Sequence, residues 1–146
     1  MRLCSVPRQK ANRLFNVGLE QLSKGQVSQA SQSFSNALKK DNSFAMAHQY
    51  LGVALMQMGK VSEGERSLRS AIEHDEYLKE AHYYLGVALT HQRKSKEAIP
   101  SYERALELDA NFSEAHMALG RLYHSIGKPS LGAKHLSIAK NLRSTQ

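Results

Sequence analysis

The feature that most constrains this chain is a motif that returns every 34 residues. Residues 81–89 read AHYYLGVAL, residues 47–55 read AHQYLGVAL, and residues 115–123 read AHMALGRLY. A more diverged copy, RLFNVGLEQ, occupies residues 13–21. A fixed period between about 20 and 50 residues is typical of stacked arrays whose neighbouring units share one core. We therefore expect a short basic N-terminal segment at 1–10 and then four units, at 11–44, 45–78, 79–112 and 113–146.

Each unit carries the apolar spacing of two helices with a turn between them. In the first unit Leu14, Val17 and Leu22 suit one helix. A second helix follows, on which Ala30 and Phe34 begin a stripe at i, i+4 and i+7. The turns are predicted at Gly25, Gly59 and Gly127 and at the polar residues 92–94. Each unit is therefore predicted to be a helical hairpin.

Two prolines bear on the helices of the later units. Pro129 falls near the start of a predicted helix, where the missing N–H is harmless. Pro100 falls in about the second turn of its helix, so we expect it to loosen one hydrogen bond or bend the axis.

Glycine recurs inside the first helix of every unit, although it destabilises a helix by about 1 kcal/mol relative to alanine. Close approach of the two helices of a hairpin explains this repetition. The four glycines are Gly18, Gly52, Gly86 and Gly120. The small residues predicted to face them are Ala30, Gly64, Ala98 and Gly132. The large residues predicted to fill the space between neighbouring hairpins are Phe34, Leu68, Tyr102 and Leu136.

This unit resembles that of the tetratricopeptide repeat family, a 34-residue helix-turn-helix with the signature W-x2-L-G-x2-Y followed by A-x3-F. His116, Leu119, Gly120 and Tyr123 follow the first part, apart from the tryptophan, and Ala30-x3-Phe34 follows the second. The late proline of the family is absent. The resemblance implies an all-α fold, a right-handed superhelical solenoid of about eight helices, in a single domain over residues 11–146.

Histidine replaces the family's tryptophan at His48, His82 and His116. Equivalent residues of stacked repeats lie at least about one helix diameter apart, whereas each ligand of a zinc ion lies about 2 Å from it. We therefore predict partly buried packing, with no metal site and no cofactor. The chain also lacks a G-x-S-x-G motif and a phosphate loop, so we predict no catalytic residue and no enzyme activity.

The resemblance further implies a concave groove, lined by the first helix of each unit, that holds a peptide or an amphipathic helix of a partner protein. Arg121 is suited to orient an acidic end of such a partner. Leu19, Val53 and Val87 are equally compatible with packing between neighbouring repeats. The predicted groove residues are Phe15, Leu19, Met46, Gln49, Met56, Tyr83, Val87, Met117 and Arg121.

One partner class of the family is not expected. Co-chaperones that bind the C-terminal carboxylate of cytosolic heat-shock chaperones carry Lys and Asn at fixed groove positions. This chain has Phe15, Leu19, Tyr50, Glu80 and Tyr84 at those positions.

The last helix is apolar where the earlier second helices are polar. Gln29, Ser33, Asn36 and Lys40 form the predicted outer stripe of the first unit, and the same places in the fourth unit hold Leu131, His135, Ile138 and Leu142. Leu131, Ile138 and Leu142 are therefore predicted to form a second interface, for a partner, a missing segment or a second copy of the chain. Tolerated exposure of a terminal helix is the alternative.

The basic charge is unevenly distributed. The net charge of +7 divides into +3 for residues 1–10 and +2, −2, 0 and +4 for the four units. Nucleic-acid surfaces usually concentrate cations on one face. Weak nucleic-acid binding through the basic termini therefore stays a second-rank alternative.

Two further features concern the setting of the chain. It has no apolar run of about 20 residues and no secretory signal, so we expect no membrane insertion. Cys4 is the only cysteine, which favours a reducing, cytoplasmic setting. Met1 and the altered last helix favour a near-complete chain. We expect a non-catalytic scaffold that binds a protein segment, with self-association through the last helix as an alternative.

Overall fold

The computed structural model describes residues 6–146, and within that range the only regular secondary structure is helical. The predictions of an all-α fold and of about eight helices are confirmed. None of the helices in these residues is both long enough and apolar enough to cross a bilayer. Cys4 lies outside the described residues. The helices are α1 (Val6–Ser23), α2 (Val27–Lys40), α3 (Ala45–Gln57), α4 (Val61–His74), α5 (Lys79–His91), α6 (Ser95–Leu108), α7 (Ser113–Ser125) and α8 (Pro129–Ser144).

Contacts divide the chain into two compact parts, each larger than one 34-residue repeat. From here on they are called unit 1 (Met1–Glu76) and unit 2 (Tyr77–Gln146), and the 34-residue segments are called repeats. Unit 1 contains the hairpins α1–α2 and α3–α4, which meet where α2 packs on α3. Unit 2 contains the hairpins α5–α6 and α7–α8, which meet where α6 packs on α7. Each predicted repeat forms one helical hairpin of a solenoid, while the single domain over residues 11–146 stays a prediction.

Small residues bring the two helices of a hairpin into close contact, as predicted. A Cβ atom on Gly52 would lie 2.7 Å from Leu68 Cγ and 3.0 Å from the carbonyl oxygen of Gly64. A Cβ atom on Gly132 would lie 2.7 Å from the carbonyl oxygen of Gly120. No side chain fits at these points, so close packing offsets the intrinsic cost of about 1 kcal/mol for a helical glycine.

The large residues of the second helices lie against the glycines of their own hairpins. A Cβ atom on Gly18 would lie 2.5 Å from Phe34 Cε1, and one on Gly86 would lie 2.6 Å from Tyr102 Cε1. Each missing Cβ leaves a notch that receives a side chain of the facing helix. Phe34 also lies 5.9 Å from the ring of Tyr50 on the next hairpin, so it packs both within its own hairpin and against its neighbour. The four residues are Phe34, Leu68, Tyr102 and Leu136.

The turns inside the hairpins use a left-handed backbone conformation. Gly25, Gly59 and Gly127 have φ angles of 76°, 81° and 82°, which confirms the predicted turns. In the third hairpin the same conformation falls on Arg93, whose φ is 61°. A residue with a Cβ atom is strained there by roughly 1–2 kcal/mol, so the third turn is less stable than the others.

The prolines and the N-terminal segment refine the predicted helix limits. Helix α1 begins at Val6, so the second half of the predicted N-terminal segment is helical. Pro129 is the first residue of α8, as predicted. Helix α6 continues through Pro100, which lacks the N–H that would bond to the carbonyl of Lys96.

A cation on the first helix of each unit holds the end of the second helix. Arg8 forms an ion pair with Asp41 and lies 4.2 Å from the ring centre of Phe44. In unit 2 Lys79 forms an ion pair with Asp109. The hydrogen bond from Lys79 lowers the pKa of Asp109. Each ion pair therefore links the first helix of a hairpin to the end of the second helix of the same hairpin.

Candidate functional site

The inner face of unit 1 is closed by aromatic packing. The ring of Phe15 lies 5.7 Å from that of Phe34, 4.8 Å from that of Phe44 and 5.6 Å from that of Tyr50. Tyr50 also lies 5.9 Å from Phe34. Phe15, one of the predicted groove residues, is therefore half-buried in a cluster that joins α1, α2 and α3.

The remaining predicted groove residues of unit 1 also take part in packing, to different degrees. Met46 packs against the core formed around Ala47. Gln49 is only 3% exposed, and its Oε1 atom has no hydrogen-bond partner among the described residues. Leu19 and Met56 are half-buried. Of the predicted groove residues of unit 1, Gln49 is therefore buried and the other four are partly exposed.

Two predicted groove residues of unit 2 are likewise engaged in packing. Tyr83 lies 5.1 Å from the ring of Tyr84 and 5.2 Å from that of Phe112, and burial raises its pKa. Met117 is half-buried, and its Sδ lies 3.7 Å from Nη2 of Arg143.

Unit 2 nevertheless has an open depression between α5 and α7, here called the inner cleft. Its volume is about 360 Å³. It contains Val87 and Arg121, two of the predicted groove residues, and its two most buried members are Tyr102 and Leu122. The other lining residues are Thr90, His91, Ala118 and Ser125.

The hydroxyl groups of the inner cleft are held in fixed hydrogen bonds. Thr90 Oγ1 donates to the carbonyl oxygen of Gly86 at 2.8 Å, so it accepts from the hydroxyl of Tyr102 at 3.1 Å. Burial raises the pKa of Tyr102 to about 12. Ser125 Oγ donates to the carbonyl oxygen of Leu122 at 2.7 Å. The hydroxyl protons of Thr90, Tyr102 and Ser125 are therefore already donated to acceptors within the protein.

The inner cleft is open because of one small residue. Ala118 lies in the cleft, and the residue two repeats earlier is Tyr50, whose ring covers Phe34 in unit 1. Tyr102 is the counterpart of Phe34 at the same spacing. Sequence reasoning missed Ala118 and Tyr102, although comparing this position across the repeats would have drawn attention to Ala118.

The predicted second interface on α8 is only partly exposed. Leu131 is 42% exposed, whereas Ile138 and Leu142 are half-buried. Ser33 was predicted to belong to an outer, polar stripe. That prediction is wrong for Ser33, because its side chain is buried and donates to Gln21 Oε1 at 2.6 Å. The hairpin geometry turns this position toward the first helix of the same hairpin.

The histidines that replace the family's tryptophan are buried, as predicted. His48 Nε2 lies 2.8 Å from the carbonyl oxygen of Asn42, and its ring stacks on that of His74 at 5.4 Å. Within residues 6–146 no group of three or more histidine, cysteine or carboxylate side chains is arranged to hold a metal ion.

The last hairpin contains a hydrogen-bonded histidine pair. His116 Nε2 lies 2.9 Å from the carbonyl oxygen of Ala110, and a carbonyl only accepts, so this nitrogen carries a proton. In the neutral pair His116 Nδ1 therefore accepts from His135 Nδ1, 3.0 Å away. Burial and the neighbouring His116 and Lys134 lower the pKa of His135. The pair fixes α8 against α7.

A comparison with models of known protein families shows which family this chain belongs to. The model of a family described as Tetratricopeptide repeat matches residues 51–111 and 92–141, which together cover more than half of the chain. The chain belongs to the tetratricopeptide repeat family. No curated protein sequence matches it significantly.

Solved structures of other tetratricopeptide repeat proteins share the fold. A crystal structure of MamA has a TM-score of 0.86 at 21% identity, over 96% of this chain and 81% of that one. PilF of Pseudomonas aeruginosa has a TM-score of 0.86 at 22% identity, over 97% and 65%. The first TPR domain of Spaghetti (RPAP3), bound to the HSP90 peptide SRMEEVD, has a TM-score of 0.80 at 24% identity, over 82% and 94%. At these identities the similarity shows the fold alone.

Proposed function

We propose that this tetratricopeptide repeat protein is a non-catalytic scaffold that binds a peptide or an amphipathic helix of a partner protein. The observation that carries the proposal is the inner cleft of unit 2, where Val87 and Arg121 are accessible beside the small Ala118. Apolar walls with a few polar groups are typical of sites that hold a side chain of a ligand.

The chemistry of the inner cleft supports binding rather than catalysis. Thr90 and Ser125 donate to backbone carbonyls, whereas a nucleophilic hydroxyl needs a neighbouring general base. The solved Spaghetti (RPAP3) domain holds a peptide. The present chain departs from the chaperone-binding pattern at Phe15, Leu19 and Glu80, so we propose a different peptide. The single cysteine, Cys4, favours a reducing, cytoplasmic setting for this binding.

The test is a substitution that fills the inner cleft without disturbing the fold. Ala118→Tyr introduces the residue that Tyr50 already provides at the equivalent place of unit 1, so it is compatible with the repeat. Ala133→Tyr makes the same change at an exposed position of α8. Proteins captured from a lysate by the wild type are compared with those captured by each variant, using quantitative mass spectrometry.

The expected result is a set of proteins that Ala118→Tyr loses and Ala133→Tyr retains. Circular dichroism checks that both variants fold. An identical set of captured proteins for all three samples would contradict binding at the inner cleft.

A second candidate function is self-association through α8, favoured by the 42% exposure of Leu131. Leu131→Glu is then expected to reduce the mass measured by light scattering at high concentration. Val17→Glu is the matched control, because Val17 is 45% exposed on α1. A mass that corresponds to the monomer at every concentration of the wild type would exclude this candidate.

A further inference from the structure

The inner cleft continues into a second depression beside the α5–α6 turn, here called the turn cleft. The turn cleft has a volume of about 310 Å³ and shares Thr90, Leu122 and Ser125 with the inner cleft. Its remaining lining residues are Arg93, Ser95 and Ile126. Because three residues line both depressions, the two clefts adjoin each other in unit 2, and together they are here called the continuous groove.

The continuous groove carries positive charge that nothing in it balances. Arg121 lines the inner cleft and Arg93 lines the turn cleft, and both side chains are exposed. Neither guanidinium forms an ion pair or a hydrogen bond with the residues that the structure describes. No carboxylate is among the lining residues of either cleft.

Three hydroxyl groups of the continuous groove already donate to acceptors within the protein. The hydroxyl protons of Thr90 and Ser125 lie on backbone carbonyls, and that of Tyr102 lies on Thr90. Each guanidinium offers five N–H groups, more than the side chains of His91 and Ser95, which also line the groove. A ligand gains most from this groove if it supplies anionic acceptors, since charge-assisted hydrogen bonds are about twice as strong as neutral ones.

The apolar surface between the two arginines distinguishes peptide from nucleic acid. Val87 and Ala118, which are both partly exposed, offer a contact for an apolar side chain. Proteins that bind single-stranded nucleic acid stack its bases on aromatic side chains. Tyr102 is only 2% exposed and unable to stack on a base, which leaves the imidazole of His91 as the exposed aromatic ring in the described lining of the groove.

We propose that the continuous groove of unit 2 binds an acidic peptide segment, with one carboxylate at Arg121, an apolar side chain against Val87 and Ala118, and a second carboxylate at Arg93. This inference rests on the proposed function and adds the chemistry of the ligand. It uses residues other than the positions of the chaperone carboxylate clamp.

The experiment selects ligands without assuming their sequence. Dodecapeptides from a random phage-displayed library are selected on the purified full chain, and the enriched sequences are read. We expect asparagine and glutamine to stay at their frequencies in the starting library, while aspartate and glutamate increase around an apolar residue. Failure to select any peptide would contradict the proposed function itself. Selected peptides without enrichment of acidic residues would overturn only the present inference.

The best selected peptide then tests the two arginines by fluorescence anisotropy. Arg121→Glu is expected to weaken binding about tenfold or more, as for the loss of a hydrogen bond to a charged group. Arg93→Glu is expected to weaken it about threefold or more. The matched control is Arg66→Glu, an exposed arginine on α4 of unit 1, for which binding stays within about twofold.

Three results complete the test. Replacing the acidic residues of the peptide by Asn or Gln is expected to abolish the difference between wild type and Arg121→Glu, and raising the salt concentration is expected to weaken binding of the acidic peptide. Unchanged binding in both arginine variants, with folding verified by circular dichroism, would overturn the proposal. Tighter binding of an oligothymidylate than of the acidic peptide would overturn it in favour of nucleic acid.

Discussion

Unit 1 and unit 2 are both built from two helical hairpins. They differ in how the side chains on the first helices of these hairpins pack. In unit 1 the aromatic rings of Phe15, Phe34 and Tyr50 lie within 5.9 Å of one another. In unit 2 the counterpart of Tyr50 is Ala118, and a cleft of about 360 Å³ is present over Tyr102. The repeat thus conserves the contacts inside each hairpin, while single substitutions on the first helices decide whether a surface is closed or open.

The first prediction concerns what the two units share. Gly52→Ala in unit 1 and Gly120→Ala in unit 2 would each place a Cβ atom within 2.8 Å of a leucine Cγ and 3.0 Å of a carbonyl oxygen. Overpacking of this kind destabilises a protein by about 1–3 kcal/mol. Urea unfolding measures the loss. A variant that lowers the free energy of unfolding by less than about 0.5 kcal/mol would contradict the close contact in its hairpin.

The second prediction concerns what distinguishes the units. Tyr50→Ala removes a half-buried ring that contacts Phe15 and Phe34, so we expect a loss of about 1–2 kcal/mol. The reverse change, Ala118→Tyr, is expected to alter stability by less than about 1 kcal/mol, because the added ring enters an open cleft. Urea unfolding of both variants tests this. If Ala118→Tyr lowered the free energy of unfolding as much as Tyr50→Ala does, a tyrosine would not fit at position 118 in the way that it fits at position 50.

The third prediction concerns the turns. Arg93→Gly relieves a left-handed conformation and is expected to stabilise the protein by about 0.5–1 kcal/mol. Gly127→Arg makes the opposite change in the last hairpin, where φ is 82°, and is expected to destabilise it by a similar amount. Melting temperatures measured by differential scanning calorimetry report both effects. Destabilisation by Arg93→Gly would indicate that the Arg93 side chain contributes more than the strain removes.

The smallest predicted effect concerns pH. His135 has a lowered pKa in the folded state, so the unfolded chain binds its proton first as the pH falls below about 6.5. The contribution of His135 to stability is therefore present above pH 6.5 and is lost as the pH falls through the lowered folded-state pKa. Partial exposure to solvent keeps the effect small. The counterpart in the first hairpin is Ser33, which does not titrate in this range.

The matched variant for this prediction is His135→Ser, which copies the residue of unit 1. Urea unfolding at pH 7.5 and pH 5 measures the loss of stability on acidification for both proteins. We expect the loss to be smaller in the variant. An equal loss in both would assign the pH dependence to other groups.

Much of the fold was predictable from the sequence because it depends on local patterns. The 34-residue period located the hairpins, and the turns at Gly25, Gly59 and Gly127 followed from glycine alone. The contact between Gly52 and Gly64 followed from the recurrence of small residues at one spacing. The burial of His48 followed from its place in the repeat.

The candidate site was less predictable, because a groove position indicates only which helix face a residue occupies. Val87 and Arg121 line an accessible cleft, and their role in binding a partner stays a prediction. Gln49 occupies the same repeat position as Phe15 and is buried, which its polar character did not suggest. Whether such a residue is reachable depends on the sizes of side chains on other helices.

The sequence by itself determined the repeat, the hairpins and the family, because helix periodicity, glycine turns and small-residue contacts are properties of short segments. Only the tertiary structure decided that Ala118 leaves an open cleft, that Arg93 and Arg121 line adjoining parts of one groove, and that Phe34 and Tyr102 fill the notches of their own hairpins. The physical reason is that packed volumes and unpaired charges arise from residues brought together by different helices.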